Sequence, residues 1–231
     1  MYFLFITPAL TFIAFLLLLL VSLSVPIIKS IYLFSLTTNV SSSLFNSAAY
    51  GAVKFGVWGY CISSVDISIL GIDRSSDARC SDTQLGYTFD SNVAQALRVD
   101  QFTDLITKTT TAALVLHPIA CGFTFLTLVI SFFMLRRGSN GTARLPSIIT
   151  LGIGILATLL TTIVFLIDVI LVAVIRNRVN DRTDGRIVLN WGNAVWMALG
   201  ATIALWLAMV GACGGVCARG RRFHTRKTEQ Y

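Results

Sequence analysis

Residues 2–25 read YFLFITPALTFIAFLLLLLVSLSV, a run with no charged side chain that contains the leucine tract Leu16 to Leu20. A hydrocarbon core about 30 Å thick is crossed by a helix of about 20 apolar residues, and this stretch is long enough to do so. An alternative reading is a secretory signal cleaved after Ser22-Leu23-Ser24. The apolar part of such a signal usually has about 7 to 15 residues behind a basic start. Here the run is longer and no Lys or Arg precedes it, so an uncleaved membrane anchor is expected.

Working outward, the same length criterion finds three further runs, at 111–135, 146–175 and 191–217. The 231 residues are 55% hydrophobic and 13% charged, with mean hydropathy +0.76. That is far below the roughly 25% charged residues of a soluble domain. The layout expected is transmembrane helix 1 at 1–25, an extracellular domain at 26–110, helix 2 at 111–135 and a cytosolic loop at 136–145. Helix 3 follows at 146–175, an extracellular loop at 176–190, helix 4 at 191–217 and a basic cytosolic tail at 218–231. The fold class is a mainly α membrane protein, a four-transmembrane-helix bundle with a small disulfide-bonded extracellular β/α domain.

Orientation follows from Lys and Arg near the ends of the spans. Arg136, Arg137 and Arg144 follow the second span, and Arg219, Arg221, Arg222, Arg226 and Lys227 follow the fourth. The loop after the third span holds Arg176, Arg178, Arg182 and Arg186, diluted by Asp181 and Asp184. The balance places both termini in the cytosol. The net charge of +7 and pI near 9.5 need no nucleic-acid partner, because anionic lipid attracts each juxtamembrane basic residue by about 1 kcal/mol. The five basic residues of the tail are the expected anionic-lipid contacts.

The segment 26–110 is too long for a plain connection and is expected to fold. Tyr50 to Cys61, reading YGAVKFGVWGYC, suits a strand, with Gly56 and Gly59 marking a bulge or a close backbone approach. Cys61 and Cys80 are the two cysteines of this segment. In an oxidising exterior their pairing is the economical one, two free thiols being the alternative. The spacing from Asn92 to Lys108 suggests a helix, capped by Ser91 or Asn92, that leads into the second span. Asn39-Val40-Ser41 is a sequon on the external side, which makes Asn39 a glycosylation candidate.

His117 and His224 are the only histidines, and no HExxH, phosphate-binding loop or nucleophile elbow occurs. Neither an enzyme nor a resident cofactor or metal is expected. Asp168 is the one acid within the four runs, and an ionisable group inside a membrane is by default a functional hypothesis. It lies about 10 Å below the outer end of the third run, and His117 lies about as deep in the second. The two could meet as an intramembrane polar pair. Asn193 or water is the competing partner for Asp168, with His117 then merely accompanying the Pro118 kink.

Gly200, Ala204, Ala208 and Ala212 form a small-residue stripe, and Gly211 and Gly215 add a GxxxG. Packing within the chain's own bundle is preferred to homodimerisation. Cys213 and Cys217, beside the basic tail, are palmitoylation candidates, with buried small residues as the alternative.

Phe55-Gly56-Val57-Trp58-Gly59-Tyr60-Cys61 followed by Cys80 resembles the fungal PalI family of tetraspan membrane proteins, related in layout to eisosome tetraspans. Asp168, Ile175-Arg-Asn-Arg178, Gly185 and Gly192-Asn-Ala-Val-Trp196 are similar to that family's pattern from the third span to the fourth. The Gly56, Trp58, Cys61 element also resembles claudins. The resemblance implies a small external sheet carrying Trp58 and the Cys61 to Cys80 bridge. It further implies a non-enzymatic plasma-membrane protein, an accessory or scaffold for another integral membrane protein, with ambient pH sensing as the context. The alternative is a structural organiser that assembles laterally with copies of itself, in cell-wall or membrane integrity. A channel ranks below both, since no polar pathway continues into the inner half of the spans.

Overall fold

Where hydrocarbon is the solvent, every backbone N–H and C=O must be satisfied within its own segment, and long uncharged runs therefore become helices. The computed structural model describes residues 2–42, 47–62, 65–69, 72–76, 79–83, 103–137, 144–183 and 187–228. Its helices are α1 (Tyr2–Ser22), α2 (Thr103–Arg137), α3 (Arg144–Thr183) and α4 (Asn193–Thr228). Apolar spans occupy Leu114–Phe133, Leu151–Asp181 and Asn193–Cys213 of the last three. With 21 uncharged residues, α1 is about 31 Å long at 1.5 Å per residue, enough to cross the same core. This is a multi-pass, mainly helical membrane protein with a small disulfide-bonded sheet.

Seven strands make that sheet: β1 (Phe34–Ser42), β2 (Ser47–Phe55), β3 (Tyr60–Ile62), β4 (Val65–Ile69), β5 (Ile72–Ser76), β6 (Arg79–Cys80) and β7 (Ile187–Trp191). The main order is β5-β4-β2-β1-β7, with β3 pairing β2 and β6 pairing β3. The strand expected in Tyr50 to Cys61 is thus two strands with a turn at residues 56–59. Two boundaries differ from the expected layout. The polar stretch from Arg176 stopped the apolar criterion at residue 175, yet no helix breaker intervenes and α3 runs on to Thr183. Residues 187–190, expected as loop, and Trp191, expected to open the fourth span, are instead β7, whose Leu189 pairs Leu36 of β1. The helix expected across 92–108 is described only from Thr103, where α2 begins; residues 84–102 lie outside the described residues.

The chain divides into two compact units. One comprises Leu20–His117 and Val164–Met197 and holds the sheet. Its core is built on Leu33, Phe34, Leu36, Phe55, Val57 and Leu189, packed with Val21, Leu114, Val172 and Val195 from the helices. Phe34 and Phe55 are direct cross-strand partners whose rings stack at 4.7 Å. A pair of this kind adds about 0.2 to 1 kcal/mol beyond its burial.

The sheet is tied to the end of α1 by main-chain contact. Val57 N–H donates to Ser24 Oγ at 2.9 Å, Trp58 N–H to the Val25 carbonyl at 3.3 Å, and the Trp58 indole N–H to the Ser22 carbonyl. A side chain on residue 56 would overlap the Val25 backbone, so the close approach needs Gly56. Gly192 plays the same part between β7 and α4, against the backbone of Tyr32 and Leu33.

The other unit comprises Met1–Leu19, Pro118–Ile163 and Ala198–Tyr231. Its interior is made of small and slim residues: Ala14, Leu18, Cys121, Ala201, Ala204 and Leu205 form its core. Buried Thr11, Thr124, Thr127, Thr158, Thr161 and Thr202 accompany them. Each of these hydroxyls donates to the carbonyl four residues earlier, at 2.8 to 2.9 Å, which satisfies the polar group without a partner helix. Gly200 approaches Leu17 and Gly211 approaches Thr7, so the stripe of α4 packs on α1 of the same chain. Ala204 and Ala208 of that stripe are buried, and Gly200 and Ala212 are half-buried.

Candidate functional site

Beneath the sheet, α2 and α3 bring together the two ionisable side chains of the spans. His117 Nε2 lies 3.1 Å from Asp168 Oδ2, and the residues are 1% and 3% exposed. One turn before His117 stands buried Leu114, and one turn either side of Asp168 stand buried Val164 and Val172. Alone, either charge in such surroundings would be costly. Together they form a buried hydrogen-bonded pair in which each is the polar partner of the other. The competing partner for Asp168 is engaged elsewhere: Asn193 Oδ1 accepts from Tyr32 N–H at 3.0 Å, and Asn193 Nδ2 donates to the Ser30 carbonyl at 2.9 Å.

The second ring nitrogen, His117 Nδ1, is buried with no hydrogen-bond partner among the described residues. With Nε2 protonated the neutral ring donates to the carboxylate and leaves an acceptor at Nδ1. A second proton makes an ion pair and places an N–H donor at Nδ1. The pair is thus held within an apolar frame, with one polar atom, His117 Nδ1, facing it.

The other sequence-derived residues fall in three places. Cys61 of β3 and Cys80 of β6 form a disulfide, with an S–S distance of 1.99 Å across a sequence separation of 19. Ser81 secures the same corner: its Oγ accepts from Tyr60 N–H at 3.0 Å and its N–H donates to the Tyr60 carbonyl at 2.9 Å. Gly56 and Trp58 hold the turn between β2 and β3 against the end of α1.

Asn39 lies on β1 opposite Tyr50, and its side chain is outside the described residues. Cys213 is an exposed free thiol on α4. Cys217, Arg219, Arg221, Arg222, Arg226 and Lys227 continue along that helix, their side chains also outside the described residues. No group of three or more potential metal ligands is found among the described residues.

Sequence reasoning passed over the threonines and β7. Both left a trace: Thr124 and Thr127, like Thr158 and Thr161, are spaced three apart within apolar runs, and Ile187-Val188-Leu189 is a β-prone triplet.

Comparison with known proteins agrees with this architecture. A pH-response regulator protein palI/RIM9 of Pyricularia oryzae is 29% identical over 204 residues, which is 87% of this chain and 22% of that relative. The chain thus spans about a fifth of the relative's length. The model of the SUR7/PalI family matches residues 3–208, nearly the whole of the described fold, and the chain belongs to that family.

Proposed function

We propose that this chain is a non-enzymatic plasma-membrane tetraspan that serves as accessory or scaffold to another integral membrane protein in the response to ambient pH. Its termini lie in the cytosol and its sheet domain outside, as the basic residues flanking the second and fourth spans require. The resemblance to a pH-response regulator supports the context. The buried His117–Asp168 pair carries the reading, since it sets two hydrogen-bonded ionisable side chains among the buried apolar residues of the sheet-bearing unit.

Loss of the imidazolium proton converts an ion pair into a neutral hydrogen bond to a carboxylate that has no other described partner. That change in charge acts where α2, α3 and the sheet core meet, through Leu114 and Val172. A partner bound to the sheet domain would read it as a change in the domain's footing. In cells carrying His117→Ala or Asp168→Asn, the transcriptional response to external alkaline medium is expected to be lost, while the amount of protein in the membrane stays within about twofold. A normal response in both variants would sink the proposal.

A further inference from the structure

The C-terminal part of α3 and the edge strand β7 enclose an open groove of about 450 Å³, lined by Arg176, Asn177 and Asn180 on the helix and by Leu189 and Trp191 on the strand. This volume lies in the range of small-ligand sites, about 300 to 1,000 Å³. The polar groups of the groove converge. Gly192 N–H donates to the Leu33 carbonyl, so in the antiparallel register of β7 on β1 the inward-bonding residues are Val188 and Asn190. The main-chain N–H groups of Ile187, Leu189 and Trp191 then point the other way, to the free edge of the sheet. Arg176 is exposed and has no ion-pair partner among the described residues. Among the described residues no acid lines the groove.

The level of the groove says what occupies it. Along α3 the last strongly exposed apolar residues are Ile170, 60% exposed, and Val174, 51% exposed; exposed Arg176 and Asn177 follow at once. A lipid-facing helix surface that turns from aliphatic to cationic within one turn marks the boundary between acyl chains and headgroups. Tryptophans gather at that boundary. Trp191 lines the groove, and Trp196, in the first turn of α4, is 64% exposed.

We infer that this groove binds the headgroup of an anionic phospholipid. The Arg176 guanidinium and the amides of Asn177 and Asn180 receive the phosphate, the β7 edge supplies further N–H donors, and Val174 and Ile170 lie along the acyl chains. The site is separate from the basic tail of α4. It anchors β7, and with it the sheet, to the lipid surface.

The test is native mass spectrometry of the chain in neutral detergent, titrated with dioleoyl phosphatidylglycerol, dioleoyl phosphatidylcholine or inorganic phosphate. One phosphatidylglycerol is expected to be retained, at least tenfold more tightly than phosphatidylcholine. Arg176→Gln should weaken it at least tenfold. Asn180→Asp, which places a carboxylate one turn from Arg176, should do the same. The triple tail variant Arg219→Gln, Arg221→Gln, Arg222→Gln should keep this lipid.

Binding unchanged in both groove variants would overturn the inference, as would loss confined to the tail variant. Displacement of the lipid by millimolar inorganic phosphate would make the groove a soluble-anion site and overturn it equally.

Discussion

The two units of this chain are packed with different kinds of side chain. The sheet-bearing unit buries large side chains, Phe34, Phe55, Leu33 and Leu36, and closes one corner with a disulfide. The helix-only unit buries alanines and self-satisfied threonines. An open sheet edge cannot lie in hydrocarbon, because its N–H and C=O groups would go unpaired. The sheet therefore stands outside the lipid, where removal of apolar area from water drives folding. Between helices in lipid that drive is absent, and association depends on close van der Waals approach, which small residues permit. The buried His117–Asp168 pair belongs to the sheet-bearing unit, at the depth where a fixed core can hold two charges in register.

Four changes can break the contrast. Phe55→Ala should have the largest effect, about 4 kcal/mol, since it removes a buried aromatic and its stacking partner's contact. Thermal unfolding followed by limited proteolysis should show the sheet lost first, with helical circular dichroism retained. Simultaneous loss of both would mean that the two units share one core.

Replacing the Cys61–Cys80 bridge by two serines should cost about 3 kcal/mol for a closed loop of this size, again confined to the sheet. Equal stability of oxidised and reduced protein in a thermal scan would refute that.

In the helical unit the sensitive change is the opposite one. Ala204→Leu overfills a position that is 7% exposed and should destabilise the detergent-solubilised protein by about 2 kcal/mol. If the unit instead behaved like a water-driven core, the added leucine would be neutral or stabilising. Thr161→Val should do least, under about 1 kcal/mol, because its hydroxyl serves only its own helix, at the Ala157 carbonyl. A larger loss would reveal a partner on another helix.

How much could be read in advance varies with the range of the interactions. The four runs, Gly56 as a close approach and Cys61 with Cys80 as partners were all legible, since each depends on local length, on backbone conformation or on a short list of cysteines. The meeting of His117 and Asp168 was an open alternative. Depth along a helix is countable at 1.5 Å per residue, whereas the azimuth of each helix is not. Asn193 shows the difference: a candidate partner by sequence, it is turned to Tyr32 and Ser30.

The chain's own letters determine that it is a multi-pass membrane protein with apolar helices, and they carry the charge bias on which the proposed orientation rests, because hydrophobic length and charge are properties of consecutive residues. Tertiary structure alone decided that Ile187–Trp191 completes a sheet begun some 150 residues earlier, at Phe34. It also decided that Arg176 faces that strand's free edge across a groove, and that His117 and Asp168 share one hydrogen bond. The first and last of those pairings join residues from distant parts of the chain, and in all three only packing in three dimensions selects among the partners that the sequence permits.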